Sequence, residues 1–291
     1  MLTDANVTPI LIFDGARLQM KMNTESERER TRQENKRKAE EYLRHGNSVM
    51  AHKMFSAAVD ITPEMAYKFV QVAKQMGIEY VVSPYEADAQ LAYMYKTGKV
   101  DVVVTEDSDL LAFGVKKCFF KMDKNGQGFE IDLDELSLVE EMNFRTFTLD
   151  MLLITCILSG CDYLDSIKGI GFKKAHRLVY ETGSDIKALF RRIRREGKHY
   201  IPASYEQTFE KALLTFKFQR VYCPTRQAIV LLNDPETHEL GPILKSYDDW
   251  DFLGTEFDQE TARQIAKCEL DPISLKSLKE IVDKKEQEQR L

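Results

Sequence analysis

The chain has 291 residues, of which 43% are hydrophobic and 30% are charged, enough apolar content for one large core or two smaller ones. It contains no run of 18 or more apolar residues, which predicts that no helix spans a membrane. The net charge of −6 does not exclude nucleic acid as a partner, because acids can be concentrated at a metal site and bases on a binding face.

The first predicted element is a short buried strand, residues 7–13, which ends at Asp14. Residues 17–44 differ in kind, because they are rich in Arg, Lys and Glu and have no convincing apolar stripe. We predict that they form a solvated helix that projects from the body of the protein. A Thr-Pro pair and a later glycine predict the start and the end of a further helix over residues 64–75.

Strands and helices then alternate along the chain. Residues 78–82 and 100–104 are predicted strands, with a helix from residue 83 to about residue 96 between them. A hairpin is predicted over residues 118–132 because two apolar runs flank an Asn-Gly pair. The order strand, helix, strand, helix predicts an α/β fold in which helices cover a parallel sheet.

From residue 148 the pattern becomes helical. A buried helix is predicted over residues 149–158, and Gly169 and Gly171 form part of a turn between two short helices within residues 167–180. Residues 187–198 are a second basic stretch, and a final helix of mixed charge is predicted over residues 274–289.

Carboxylates follow the predicted strands. Because the carboxyl ends of parallel strands share one edge of a sheet, we expect these acids to converge. A sixth acid, Asp162, comes after the buried helix and can join them. Converging carboxylates stay ionised together only beside cations, and oxygen ligands without His or Cys suit Mg²⁺ or Mn²⁺. Two such ions can support in-line displacement at phosphorus. The six acids are Asp14, Glu86, Asp88, Asp107, Asp109 and Asp162.

Each acid also has a structural interpretation. Ser83, Pro84 and Glu86 match the pattern of a helix capping box. Asp107 or Asp109 can cap the helix that follows. Asp88 can share a site with Glu86 only if that site lies beyond the helix N-terminus. Asp14 can belong to a simple turn. Asp162 can be a surface residue near a helix end.

Five segments of the sequence, in this order and at this spacing, resemble motifs of the flap-endonuclease-like (XPG/Rad2-type) 5′-nucleases. They are most similar to the exonuclease-one branch of that family, and no clamp-binding motif of glutamine with paired aromatics is present at the C-terminus. The resemblance covers residues 1 to about 225. The segments are Ile12–Gly15, Pro84–Tyr93, Thr105–Gly114, Cys156–Leu164 and Lys168–Ala175.

The resemblance implies a PIN-like sheet, a helical arch and a two-metal phosphodiesterase that uses two Mg²⁺ ions, for which Mn²⁺ can substitute. It places all six acids named above in the metal site. It also implies catalytic roles for Lys21 and Arg28 of the arch beside Asp14, Glu86 and Asp109, because a fixed cation next to a phosphate stabilises developing negative charge. Arg32 is implied as a further DNA contact.

The turn at Gly169 and Gly171 resembles the family's helix-two-turn-helix, in which backbone amides hold a DNA phosphate. The resemblance implies further phosphate contacts from Lys173 and Lys174. It also implies a K⁺ ion bound by oxygens of Ser159, Ser166 and Ile170, the last through its carbonyl. The structural alternative is an ordinary αα-hairpin whose glycines allow close packing.

On this resemblance the chain divides into a nuclease core (1–147, with the arch at about 17–60), a helix-two-turn-helix DNA-binding domain (148–240) and a C-terminal extension (241–291). The implied activity is 5′-to-3′ hydrolysis of double-stranded DNA, with 5′-flap endonuclease activity, in mismatch repair and end resection. The implied partners are DNA with 5′ ends, nicks or flaps and mismatch-repair proteins, with no membrane. A monomer in the nucleus is expected.

The sequence departs from the family at its start. The family begins with Met-Gly and a strand that ends in another metal-binding Asp, whereas Met1 stands just before the second acidic motif. We therefore expect the family's first segment to have no counterpart in this sequence. Two alternatives stay open: a catalytically incomplete DNA-binding or interaction protein, and a flap endonuclease of replication.

Overall fold

Short strands form three small sheets in the computed structural model, which describes residues 1–288. The strands are β1 (Ile10–Phe13), β2 (Glu79–Val82), β3 (Val103–Thr105), β4 (Lys117–Phe120), β5 (Phe129–Asp132), β6 (Arg220–Cys223) and β7 (Ala228–Leu231). In the first sheet, β1 pairs in parallel with β2. In the second, β4 pairs in parallel with β3 and antiparallel with β5, and in the third, β6 and β7 form an antiparallel hairpin.

Helices make up most of the remaining regular structure, and within the described part of the chain none is long and apolar enough to cross a membrane. They are α1 (Met22–Arg44), α2 (Ser48–Ser56), α3 (Pro63–Gln75), α4 (Ala87–Lys96), α5 (Asp109–Ala112), α6 (Leu149–Ser159), α7 (Phe172–Thr182), α8 (Ile186–Glu196), α9 (Tyr205–Phe218), α10 (Gly241–Leu244), α11 (Gln259–Ala266) and α12 (Leu278–Glu288). The end of the predicted last helix, Gln289, lies outside the described residues.

The predicted α/β fold with parallel strands is confirmed, as is the hairpin of β4 and β5, in which Cys118 lies opposite Ile131. The expectation that one sheet holds all the parallel strands was wrong. No ladder joins the β1–β2 pair to the β3–β4 pair within residues 1–288. The alternation of strands and helices predicts crossovers between parallel strands, but it does not specify which strands become neighbours.

The main hydrophobic core runs from Leu18 to Leu232 and is built largely from α4, α6, α7, α8 and α9. Helix α6 is central to it because seven of its eleven residues are buried. Its start is fixed by the Thr148 hydroxyl, which accepts the Met151 N–H at 3.2 Å, and Gly160 ends it at a φ of 101°. Because this core contains residues from both sides of position 147, the proposed division into domains stays a prediction.

The arch consists of α1 and α2 and is confirmed as a solvated structure, since Ala39 is the buried residue of α1 and Ala51 that of α2. Ion pairs along its surface, such as Lys38 with Glu34 at 2.7 Å, replace an apolar stripe. The two helices pack against each other, and the start of α1 contacts the main body through Thr24 and Arg28. A long solvated helix therefore stands over the part of the protein where the acids lie.

The turn that contains Gly169 differs in detail from the prediction. Residues 160–171 form turns and a single bridge, so no short helix precedes Gly169 within residues 167–170. The two helices of the motif are instead α6 and α7, on either side of this loop. Gly169 has a φ of 84°, which glycine tolerates, and Gly171 is the residue that precedes α7.

Candidate active site

The start of α4 is tied to the end of β1 by side-chain hydrogen bonds. The Ser83 hydroxyl donates to the Phe13 carbonyl at 2.6 Å. The Asp14 carboxylate accepts the N–H of Ala87, the first residue of α4, at 2.8 Å. The predicted capping box of Ser83 and Glu86 was wrong, because Glu86, not Ser83, is the residue that immediately precedes α4.

The peptide after Asp14 passes very close to the segment before α4. A Cβ atom on Gly15 would lie 1.9 Å from the Ser83 carbonyl oxygen, so no larger residue fits there. The Gly15 N–H donates to the Tyr85 carbonyl at 2.6 Å. These contacts fix Asp14 beside the first turn of α4, where the next two acids lie.

Glu86 immediately precedes α4, and Asp88 lies in its first turn. Glu86 is buried, with 8% of its surface exposed, and its two oxygens have different partners. Oε1 accepts a hydrogen bond from Lys21 Nζ at 2.7 Å. Oε2 accepts hydrogen bonds from the Tyr163 hydroxyl at 2.5 Å and from Gln219 Nε2 at 2.7 Å. Both acids are therefore at the N-terminal end of one helix, as a shared site requires.

Lys21 lies between two of the predicted acids. Its Nζ atom is 2.7 Å from Glu86 and 2.8 Å from an oxygen of Asp162. Burial by itself lowers the pKa of Lys21, but the charge of Glu86 and the hydrogen bonds to both acids raise that pKa above its ordinary value. The ammonium group therefore stays charged at the centre of the site.

Arg28, about two helical turns further along the arch, also reaches Asp162. Its Nη2 atom lies 2.9 and 3.2 Å from the two oxygens of Asp162, and the Thr24 hydroxyl donates to the Asp162 carbonyl at 2.8 Å. Burial raises the pKa of Asp162, but the hydrogen bond and charge of Lys21, together with Arg28, lower it below its ordinary value. Asp162 is therefore ionised and joins the end of α6 to the foot of the arch.

The acids after β3 complete the cluster. The Asp107 carboxylate accepts the Asp109 N–H at 2.9 Å, so Asp107 also has the capping role proposed as its alternative. Burial and then the charge of Asp107 raise the pKa of Asp109 to about 6. Burial, followed by the charges of Asp107, Glu86 and Asp14, raises the pKa of Asp88 to about 7. The charges of Asp14, Glu86, Asp107 and Asp162 thus each raise the pKa of Asp88 or Asp109.

The donor set fits a hard divalent cation, since it consists of carboxylate oxygens. Within residues 1–288, no three His, Cys, Asp or Glu side chains are arranged so that they could hold one metal ion. Mg²⁺ commonly keeps several waters and is bound by one or two carboxylates together with substrate phosphates. The carboxylates therefore suit Mg²⁺ in their chemistry without forming a closed cage.

The other predicted DNA-binding residues lie away from the acids. Arg32 pairs with Glu29 at 2.7 Å and with Asp60 at 3.4 Å, so the structure holds it within the arch. Lys173 is exposed, and Lys174 contacts His199 and lies 3.4 Å from Glu196. Both lysines line a groove beside α7 and α8, together with Arg177, Arg192, Lys198 and the acids Glu181 and Glu196.

The residues predicted to bind K⁺ lie around the loop between α6 and α7. A Cβ atom on Gly160 would be 3.1 Å from the Ser166 backbone nitrogen, which shows how closely the loop folds back beside Ser159. The Ser159 hydroxyl donates to the Cys156 carbonyl at 2.9 Å, and Ile170 is buried. The loop thus brings Ser166 close to the end of α6, and K⁺ binding by Ser159, Ser166 and Ile170 stays a prediction.

The C-terminal part of the chain supports the acidic site. The Tyr85 hydroxyl donates to the Thr255 carbonyl at 2.6 Å, and the Tyr85 ring stacks on Phe257. Gly254 has a φ of 103°, and a Cβ atom there would lie 2.3 Å from the Tyr85 ring. Residues after the predicted DNA-binding domain therefore pack directly against the residue before Glu86.

Sequence reasoning missed three residues that contact the predicted acids. Tyr163 lies inside the segment that carried the resemblance, next to Asp162, so its position was a usable signal. Thr24 lies in the arch without any distinguishing pattern. Gln219 is 133 positions from Glu86, and nothing in the local sequence indicates that the two side chains meet.

Comparison with known proteins agrees with this geometry. Residues 77–162 match the model of the XPG I-region. Exonuclease 1 of Oryza sativa subsp. japonica is 44% identical over 274 residues, which cover 94% of this chain and 32% of that protein. The DNA damage-inducible protein DIN7 of Saccharomyces cerevisiae is 33% identical over 296 residues, which cover 95% of this chain and 68% of DIN7. The chain belongs to the exonuclease 1 branch of the XPG/Rad2 nuclease family.

A solved structure of the Holliday junction-resolving enzyme GEN1, in complex with product DNA and a Mg²⁺ ion, has the same fold with a TM-score of 0.51. It is 17% identical, and the match covers 77% of this chain and 50% of that chain. The chain spans about a third of the length of the plant exonuclease 1 relatives. The predicted family and the PIN-like α/β fold are thus confirmed.

Proposed function

We propose that this chain is the catalytic region of a Mg²⁺-dependent 5′-to-3′ exodeoxyribonuclease that also cuts 5′ flaps and acts in DNA repair. One observation carries the proposal: Lys21 lies within 2.8 Å of both Glu86 and Asp162, and Arg28 of the arch pairs with Asp162, so two cations meet two of the six acids. Relatives of similar sequence are named exonuclease 1 or exodeoxyribonuclease 1, which favours this activity over a flap endonuclease of replication.

The acids would hold two Mg²⁺ ions, or Mn²⁺ in their place. Bound ions would supply an activated water and a partner for the leaving oxygen. The chain's own cations have a different role, because Lys21 and Arg28 lie close to where the phosphate would sit and can stabilise its developing negative charge. Glu86 and Asp162 hold these two cations in place, so the same carboxylates orient the arch towards the substrate.

Duplex DNA would be held away from the reacting phosphate. The amides around Gly169 and Gly171 and the side chains of Lys173 and Lys174 would contact a phosphate of the duplex. A K⁺ ion bound by Ser159, Ser166 and the Ile170 carbonyl would join this contact. Arg32 would add a contact from the arch. We further propose that the protein acts as a monomer in the nucleus and works with mismatch-repair proteins.

A second function has one observation in its favour. Because no three acids in residues 1–288 form a ready metal cage, the chain can instead be a DNA-binding or interaction protein that is catalytically incomplete. The groove lined by Lys173 and Lys174 would serve that function as well. The two proposals differ in whether this chain, by itself, hydrolyses DNA when Mg²⁺ is supplied.

The experiment is cleavage of a 5′-recessed DNA duplex with and without Mg²⁺, with DNA binding measured separately. We expect Mg²⁺-dependent cleavage that Asp109→Ala abolishes while DNA binding is kept. Asp101→Ala is the matched control, because Asp101 is an exposed aspartate on the loop before β3. Binding without cleavage by the wild-type chain would favour the incomplete protein. Full cleavage by Asp109→Ala would rule out the assignment of the acids.

A further inference from the structure

Glu86 is held from inside the protein by two neutral donors. Its Oε2 atom accepts the Tyr163 hydroxyl and the Gln219 amide, whereas Oε1 faces Lys21. Tyr163 is adjacent to one of the acids, but Gln219 comes from another part of the chain, where α9 ends and β6 begins. Gln219 is fully buried, so its amide group points at Glu86 from the core.

The backbone of Gln219 is fixed on both sides. Its N–H donates to the Thr215 carbonyl at 3.1 Å, and its carbonyl accepts the Leu232 N–H at 3.0 Å. The side chain therefore leaves a rigid point between the last turn of α9 and the residue after β7. A donor that is anchored in this way can fix the rotation of the carboxylate that it contacts.

The orientation of the amide follows from its surroundings. Gln219 Oε1 is buried and has no hydrogen-bond partner within residues 1–288. If the amide were reversed, its oxygen would face the Glu86 carboxylate, and two acceptors would repel each other. A buried acceptor without a partner destabilises the folded state, whereas an apolar side chain of the same length would leave no acceptor unpaired. The favourable polar contact of the Gln219 side chain is therefore the hydrogen bond from Nε2 to Glu86.

We propose that Gln219 is a positioning residue of the metal site, which engages Oε2 of Glu86 so that Oε1, the oxygen that Lys21 contacts, is the one turned towards the predicted cation site. The inference rests on the proposed function, since it assigns Glu86 to metal binding. Groups that hydrogen-bond to a metal ligand orient it, and their loss commonly weakens metal affinity or activity by about 10- to 100-fold. Gln219 thus links the far end of α9 to the chemistry at the start of α4.

The test compares two glutamines that are equally buried. Gln90 is also fully buried, but its amide bonds to the backbone of Tyr222, donating to the carbonyl at 2.8 Å and accepting the N–H at 2.7 Å. It makes no hydrogen bond to an acidic side chain within the described residues. Gln219→Met and Gln90→Met therefore make the same chemical change, one at the carboxylate and one at the backbone.

Mn²⁺ binding to the full chain without DNA is measured from the spin-resonance signal of free Mn²⁺, and Tm is measured with a chelator present. We expect Gln219→Met to weaken Mn²⁺ affinity about 10- to 100-fold while lowering Tm little. We expect Gln90→Met to lower Tm more, because it leaves two backbone groups of Tyr222 unpaired, and to keep the wild-type affinity for Mn²⁺.

Equal Mn²⁺ affinities for the two variants would overturn the inference, because Gln219 would then be an ordinary core residue. The concentration of Mg²⁺ that gives half-maximal cleavage is a second readout and should rise in Gln219→Met alone. If the wild-type chain bound Mn²⁺ and Gln219→Met bound it with the same affinity, only the role of Gln219 would be overturned. A wild-type chain that bound no Mn²⁺ would overturn this inference and the proposed metal site together.

Discussion

The start of α1 and the end of α6 both lie near Asp162, but the protein holds the two helices in different ways. Helix α1 has 23 residues and buries one of them, Ala39, whereas α6 has 11 residues and buries seven. The foot of α1 is attached through polar groups: Lys21, Thr24 and Arg28 bond to Glu86 or to Asp162. Helix α6 is attached through the main hydrophobic core.

This difference indicates how the site divides its tasks. A buried aliphatic side chain contributes about 1.5–3 kcal/mol by leaving water, whereas the ion pair of half-exposed Arg28 with Asp162 contributes about 0–1 kcal/mol. The acids thus stand beside a scaffold that is costly to deform, while α1 is attached to it by a few polar contacts. We therefore expect α1 to shift at a smaller cost in free energy than α6.

The largest expected difference between the two helices is in their effect on stability. Leu158→Ala in α6 removes a fully buried side chain and should lower the free energy of unfolding by about 2–5 kcal/mol. Leu43→Ala in α1 removes a side chain that is 57% exposed and should change it by less than about 0.5 kcal/mol. Urea unfolding measures both. A similar loss in the two variants would show that the arch is part of the core.

The next effect concerns the rate of cleavage. Lys21→Ala removes a charge close to the reacting phosphate, so we expect the rate at saturating DNA to fall about 10²- to 10³-fold. DNA affinity should change far less. Lys38→Ala is the control, because Lys38 lies in α1, which follows Lys21 directly, and pairs with Glu34 on that helix. If rate and affinity fell by the same factor, Lys21 would act only through its charge at long range.

Asp88, which lies in α4 and not in the arch, makes the stability of the folded chain depend on pH. The pKa of Asp88 is about 7 in the folded chain, above the ordinary value of an aspartate, because of burial and the charges of Asp107 and Glu86. The folded state thus binds a proton that the unfolded state releases, so this group destabilises the metal-free protein as pH rises from about 4 to 7.

Asp88→Asn removes this effect because the amide is neutral. In chelator we expect the Tm of the variant to exceed that of the wild type at pH 8 by a few degrees, where ~1 kcal/mol corresponds to about 2–4 °C. The two proteins should have similar Tm values at pH 4. Asp101→Asn, on an exposed loop, is the control. A variant less stable than wild type at pH 8 would contradict the repulsion between the acids.

The sequence allowed the acids of this site to be predicted because a strand end determines where the next residue lies. Asp14 follows β1 directly and Asp107 lies two residues after β3, so the sequence places each acid at the carboxyl end of a strand. Ser83 was misassigned because local sequence does not show that α4 begins only at Ala87 or that the serine hydroxyl bonds to a distant carbonyl. Gln219 could not be found, since its contact with Glu86 depends on how α9 packs.

The smallest effect tests the attachment of the arch itself. The Thr24 hydroxyl donates to the backbone carbonyl of Asp162, which lies outside α1. The Thr31 hydroxyl instead donates to the backbone carbonyl of Glu27 within α1. Thr24→Val and Thr31→Val thus remove one hydrogen bond each from the same helix. A typical hydrogen bond contributes about 1 kcal/mol, which corresponds to roughly a fivefold change in a population.

We therefore expect limited trypsin digestion to cut α1 about fivefold faster in Thr24→Val than in Thr31→Val, if the foot of the arch opens before it is cut. Cleavage within the main body should be unchanged, because its stability depends on the core and not on this bond. Equal rates in the two variants would mean that α1 opens by local unwinding. The weak attachment of the arch would then be a property of the helix alone and not of its junction with Asp162.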